Sequence, residues 1–399
     1  MNKKLRLSLL LIQALVILTL VSSRLQADTG TCGGQTITLP FTDVMSSPFF
    51  CQIAEAFFSG LTNGTSATTY SPSDPVPREQ MAAFITRTQD SALRRGSRRA
   101  ALNQFWTPQT TFPTQLTKAG ASVQLVACDG EDVWIANSND NTVSRIHASD
   151  GLFLANYINA PRANSPLVAM GSVFVVGATN PGSLYQINPR APGGSPVTVL
   201  TTALGHFSAG IAFDGARLWI ANTGSVGGDG SVSIVTLTPF SVTTVTTGFT
   251  DPFSMVFDGA NVWAVDTGAG TLLKLNPDGS IAQTVNLFGA FLDNAVFDGT
   301  NIWVPDRDSA GVFVVRASTG AILARLTGNG LVRPVTAAFD GQRVLVTNSS
   351  GDNICLWKAT DLSPLGCFPT GLGTFPFGAA SDGINFWVSL QSKGQLLRF

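Results

Sequence analysis

The hydrophobic and polar positions change rhythm twice along the chain. From Leu7 to Val21 they are almost unbrokenly apolar, preceded by Lys3, Lys4 and Arg6 and followed by Leu25-Gln26-Ala27. A basic start, a short apolar run and a small-residue site predict a secretory signal peptide over residues 1–27, set aside from the fold. The alternative is a retained membrane anchor, although the run is short of the ~20 residues a span needs. From residue 46 the apolar positions take helical spacing. Ser46-Ser47-Pro48 predicts a helix start, with Phe50, Ile53, Ala54 and Phe57 on one face and Gly60 as the stop. A polar loop follows, and a second helix begins near Arg78 with Met81, Phe84, Ile85 and Thr88 on one face.

Beyond residue 111 the pattern becomes that of short strands, and it repeats. The landmark is Asp-Gly, three residues, then an aromatic: Asp129-Gly130 to Trp134, Asp214-Gly215 to Trp219, Asp258-Gly259 to Trp263, Asp298-Gly299 to Trp303, and Asp382-Gly383 to Trp387. Asp340-Gly341 keeps the turn with Leu345 in the aromatic position, and Met170-Gly171 to Phe174 is a degenerate copy. The seven glycines are spaced 41, 44, 44, 40, 42 and 42 residues apart. Each repeat reads as four short strands, the Asp-Gly turn joining the first two because Gly accepts φ > 0 and Asp bonds its own backbone. Four strands per repeat and seven repeats predict a mainly β fold, a seven-bladed β-propeller over residues 111–399 behind a small helical module at 28–95 and a basic linker at 96–110. The last repeat ends after its third strand, at Phe399, and Thr110 to Leu116 supplies the missing fourth, closing the ring. The recurrent Trp is read as packing between blades.

Composition narrows the classes. Lys plus Arg number 24 against 25 Asp plus Glu, for a net charge of −1, so no nucleic-acid partner is expected for the chain as a whole. An apolar content of 44% excludes global disorder. The signal peptide predicts an extracellular or cell-envelope protein, with no membrane span after cleavage, in which disulfides can form. Of the five cysteines, Cys355 and Cys367 lie in two runs that a turn brings face to face, Cys32 and Cys51 form the second expected pair, and Cys128 in an apolar strand is left as a buried thiol. With no CxxC and with His147 and His206 far apart, no metal and no cofactor is expected.

The helical module carries a further signal. Phe41-Thr-Asp43-Val, Ile53, Gly60-Leu-Thr-Asn-Gly64, Tyr70-Ser-Pro72 and Val76-Pro-Arg78-Glu-Gln-Met81-Ala-Ala-Phe84 resemble one S-layer homology (SLH) motif. The resemblance implies attachment to cell-wall polysaccharide or peptidoglycan, with Arg78 as the polymer contact and Asp43 as the structural acid beside it. A guanidinium at a helix start can hold a carboxylate by charge-assisted bonds; the alternative is that Arg78 only starts its helix and pairs with a nearby acid. Pro77 stands where the family usually has Thr, and one motif is present where three are usual. The repeats are similar to YVTN and NHL-type propellers, and more loosely to virginiamycin B lyase, which implies the scaffold.

Three residues past the landmark aromatics stand Asn137, Asn222, Asp266, Asp306 and Asn348, with Arg307 and Asp308 adjoining. Two readings stay open: a polar rim at the channel mouth, suited to a glycan or protein ligand, or local caps on the following turns. Arg94, Arg95, Arg98 and Arg99 are either a solvated connector or a contact with anionic envelope groups. The function these features predict is an envelope-associated binding scaffold and no enzyme; the alternative is an extracellular propeller lyase or hydrolase, for which His206 is the candidate.

Overall fold

The computed structural model describes residues 27–32, 35–94, 110–113, 122–225 and 228–399. The predicted signal segment, most of the basic linker with Arg95, Arg98 and Arg99, and residues 114–116 of the predicted closing strand lie outside them.

Seven four-stranded antiparallel sheets follow one another along the chain. Blades 1 to 6 are β4–β7 (residues 123–158), β8–β11 (163–201), β12–β15 (208–245), β16–β19 (252–286), β20–β23 (296–327) and β24–β27 (334–369). Blade 7 is β28–β30 (376–398), completed by β3 (Thr110–Pro113), which pairs antiparallel with β30. The fourth strand of the last blade therefore comes from the front of the propeller, and the ring closes without an open edge. The first strands of successive blades neighbour one another around the axis, including that of blade 7 against that of blade 1. The approach there is close: a Cβ on Gly378 would lie 2.6 Å from the Gln124 carbonyl oxygen and 2.6 Å from Leu125 Cα.

The landmark is explained by one carboxylate doing two jobs. In blade 4, Asp258 accepts from the Ala260 and Asn261 amides at 2.8 and 2.6 Å through Oδ1, which holds the turn, with Gly259 at φ 90°. Its Oδ2 accepts the Trp263 indole N–H at 2.8 Å. Asp129, Asp214, Asp298 and Asp382 bind Trp134, Trp219, Trp303 and Trp387 in the same way at 2.7–3.0 Å. The spacing is forced: the Trp must reach back over the turn to be satisfied once buried. In blade 6, Leu345 takes the aromatic position and Trp357, one strand further out, is buried with no acceptor for its indole N–H among the described residues.

The N-terminal unit comprises a ribbon of β1 (Thr29–Cys32) and β2 (Gln35–Thr38), helix α1 (Phe50–Phe58) and helix α2 (Arg78–Arg94). α1 buries Phe50, Ile53, Ala54 and Phe58, and Gly60 ends it at φ 74°. The Cys32–Cys51 disulfide joins the ribbon to α1, and Asp28 accepts the Val44 and Met45 amides. The unit packs on blades 5 and 6 in one apolar cluster that contains Phe41, Phe58, Trp303 and Trp357. The α2 face expected to be covered is covered only in part among the described residues: Phe84 is half-buried, whereas Met81 and Ile85 are 48% and 61% exposed and Thr88 is exposed. Cys355 and Cys367 stand directly opposite in register and are bonded. Cys128 is a free thiol, partly buried in the cluster between blades 7 and 1, and burial raises its pKa well above the ordinary thiol value. Among the described residues no helix is long and apolar enough to cross a membrane.

Candidate functional site

In an up-and-down blade, the loop from the second to the third strand lies at the end where the chain enters the blade. The Asn and Asp residues three past the landmark aromatic sit at that end, but they form no exposed rim. Asn137, Asn222, Asp266 and Asn348 are 0% exposed and Asp306 is 1% exposed. Each latches its own blade. Asp266 accepts the Thr250 and Asp251 amides at 2.8 and 2.9 Å, and Asp306 accepts those of Ala290 and Phe291 at 3.1 and 3.2 Å. Asn348 accepts the Val332 amide, and Asn222 accepts the Ser208 hydroxyl. Asn137 donates to Thr142 and Ser144. For Asp266, Asp306 and Asn348 the reason is local: a strand end beside an incoming connection has unpaired amides, and a short acceptor satisfies them without reaching solvent.

The exposed charge at this end comes instead from the residues beside the latches. Arg307 follows Asp306, and its guanidinium lies over the Phe291 ring at 3.5 Å from the centroid. Its Nη1 is 3.4 Å from Asp293 Oδ2 and its Nε is 3.8 Å from Asp308. Arg333, entering blade 6, pairs with Asp308 at 3.4 Å. Phe253 meets Phe291 edge-on at 6.2 Å, so two aromatic rings floor the cluster.

Asp293 is the residue that sequence reasoning missed. Its side chain is fully buried, with Oδ1 accepting from Asn294 and Oδ2 without a hydrogen-bond donor among the described residues. Burial pushes its pKa up to about 7, against the lowering influence of Arg307. It is held there because the first strand of blade 5 is broken. Only Val296–Phe297 pairs as a strand (β20); before it Leu292 bridges to Asp306 and the Asp293 amide donates to Pro305 within blade 5, while Asn294 bridges to blade 6. The Asn294 amide donates to Val335 and its carbonyl accepts from Ala337, at 2.9 and 3.0 Å. The available signal was Asp293 itself, a carboxylate six residues before its landmark glycine, where four other repeats carry the apolar Ala209, Phe253, Val335 and Phe377. Asp251 is a lesser case, its pKa raised by burial and by Asp266. Chemically, the cluster offers a partly exposed guanidinium on an aromatic face, beside a carboxyl that exchanges a proton near neutral pH.

The other predicted residues lie elsewhere. Asp43 accepts the Tyr70 and Ser71 amides and so fixes the loop before α2; Arg78 is exposed at the start of that helix. His206 Nδ1 is 3.3 Å from Asp229 Oδ2, and Asp229 also takes the Ser225 hydroxyl at 2.8 Å. His147 pairs locally with Asp150 at 3.1 Å. Among the described residues no three His, Cys, Asp or Glu side chains are placed to hold a metal ion.

No protein-family model matches the chain, and no curated protein matches it. Solved structures do. A catalytically inactive histidine-to-alanine virginiamycin B lyase from Staphylococcus aureus with quinupristin aligns at a TM-score of 0.61 and 13% identity, over 73% of this chain and 99% of that one. The WD40 β-propeller domain of Doa1 aligns at 0.59 and 13%, over 73% and 97%. Hydrazine synthase of Kuenenia stuttgartiensis aligns at 0.59 and 14%, over 71% and 96%. At these identities the likeness is one of fold.

Proposed function

We propose that the chain is an exported cell-envelope protein that works as a binding scaffold. Its SLH-like N-terminal unit holds it to anionic wall polymer through Arg78, and its propeller takes a carboxylate-bearing glycan at the Arg307 mouth. Two disulfides are consistent with the extracellular setting. The observation that carries the reading is the Phe291–Arg307–Asp293 stack: a guanidinium fixed on an aromatic ring, partly exposed, beside a buried carboxyl with an unfilled acceptor. Such a group forks onto a carboxylate, and the ring beneath fixes its plane. For the anchor, Arg78 is an exposed cation with no ion pair among the described residues, placed at a helix N-terminus. Calorimetric titration with soluble oligosaccharides released from purified sacculi tests the mouth. Saturable binding weakened about tenfold or more by Arg307→Ala supports it; equal binding by that variant refutes it.

A second reading, a lyase, is favoured by His206. Asp229 on Nδ1 orients the ring and leaves Nε2 without a partner among the described residues, as a general base requires. Loss of quinupristin, followed by mass spectrometry and abolished in His206→Ala, would support that reading; an unchanged antibiotic would dismiss it.

A further inference from the structure

The N-terminal unit reaches the propeller by filling a groove between two blades, and the pseudo-symmetry of the ring repeats that groove elsewhere. Between blades 5 and 6, the end of α1 sits above Trp303. Asn301, two residues before that Trp, donates to the Phe58 carbonyl at 3.0 Å. Arg316, opposite Asn301 in register, donates to the Phe57 and Phe58 carbonyls and lies over the Phe57 ring at 5.1 Å from its centroid. On the blade 6 side, Lys358 pairs with Glu55 of α1 at 3.5 Å. The groove thus recognises a helix end by its last carbonyls, of which that of Phe57 also accepts the Gly60 amide, by an aromatic ring and by an acid.

Between blades 3 and 4 the same place is open among the described residues. It forms a cavity of about 350 Å³ lined by Arg217, Trp219, Phe257, Asn261 and Asn276, among others. Arg217 stands two residues before Trp219, as Asn301 does before Trp303, and Asn276 takes the position of Lys358. The Arg217 guanidinium lies over Trp219 at 4.8 Å, with Nη2 3.1 Å from Asp214 and Nη1 donating to the Pro277 carbonyl at 2.6 Å. It already binds a main-chain carbonyl across the groove, and of its five N–H groups some remain for another.

We propose that the groove between blades 3 and 4 is a peptide-binding site. Its occupant is a segment of a partner protein that ends a helix with exposed main-chain carbonyls and an aromatic side chain, as residues 57–58 do for blades 5 and 6. This site is separate from the Arg307 mouth and does not depend on it.

The probe is a fluorescein-labelled peptide with the sequence of residues 53–60, titrated with the full-length chain, whose own copy of that segment is tethered to the propeller and occupies the other groove. Anisotropy should rise to saturation. Arg217→Ala should weaken binding about tenfold or more, the scale of losing a charge-assisted pair. Ala260→Trp, a substitution at an exposed turn position that plugs the cavity without touching Arg217, should do the same, and Arg307→Ala should leave binding unchanged. No saturation up to about 1 mM protein, or binding equal to wild type in both groove variants, overturns the proposal.

Discussion

Replacing Trp by Phe at two positions separates the hydrogen bond in the landmark from the packing of its ring. Trp263 and Trp357 are both buried, at 0% and 1% exposure, so the smaller ring leaves a comparable void in each case. They differ in the indole N–H. That of Trp263 donates to Asp258 at 2.8 Å, whereas that of Trp357 has no acceptor among the described residues. Trp263→Phe therefore loses a bond to a charged acceptor, worth ~1.5–3 kcal/mol, while Trp357→Phe removes an unsatisfied donor that costs ~1–3 kcal/mol where it stands. Trp263→Phe should be the more destabilising of the two by about 2.5–6 kcal/mol. The assay is equilibrium urea unfolding followed by circular dichroism, with the difference read from the midpoints at constant slope. Equal losses, or a larger loss for Trp357→Phe, would refute the two-job carboxylate.

Asp293 is protonated more readily in the folded chain, with its pKa raised from 3.8 to about 7. The native state then binds the extra proton between about pH 4 and pH 7, so stability falls as pH rises through that window and the loss is complete above it. Asp293→Asn should match wild type near pH 4 and exceed it at pH 8, by at most ~4 kcal/mol, in parallel thermal melts; a gain that is the same at both pH values would contradict the burial argument. Replacing Cys355 and Cys367 together by Ser opens a cross-link of sequence separation 12 and should cost ~3 kcal/mol in urea unfolding, with the reducing agent making no further difference to the variant through this bond. Arg316→Ala removes the donor to the α1 carbonyls and should lower hydrogen-exchange protection of α1 about tenfold or more while leaving blades 1 to 3 unchanged.

The ring was legible because its repeat is a chemical requirement. A buried Trp needs an acceptor and a tight turn needs an Asx side chain, and one Asp five residues before the Trp supplies both, so the spacing survives while the strands around it vary. Closure by Thr110–Pro113 followed from a missing fourth strand, and the Cys355–Cys367 bond from two runs facing across a turn. The mouth was harder to read. Asp266 and Asp306 look like exposed acids in sequence, yet the amides of an incoming connection lie close enough to bury them. Asp293 owes its state to a broken strand and to Arg307, 14 positions on, and periodicity records neither. The docking of α1 joins Phe58 to Asn301 and Arg316 across more than 240 positions, with no local pattern to mark it. The α2 face has helical apolar spacing, yet among the described residues nothing covers Met81 and Ile85, which spacing alone does not reveal.

Co-sedimentation of the full-length chain with purified sacculi tests the proposed wall-held scaffold most directly. Wild type should pellet in a saturable, salt-sensitive manner, Arg78→Ala should lose most of that retention, and Arg78→Ala combined with Arg307→Ala should stay in the supernatant. A doubly substituted chain that pellets like wild type would contradict the account.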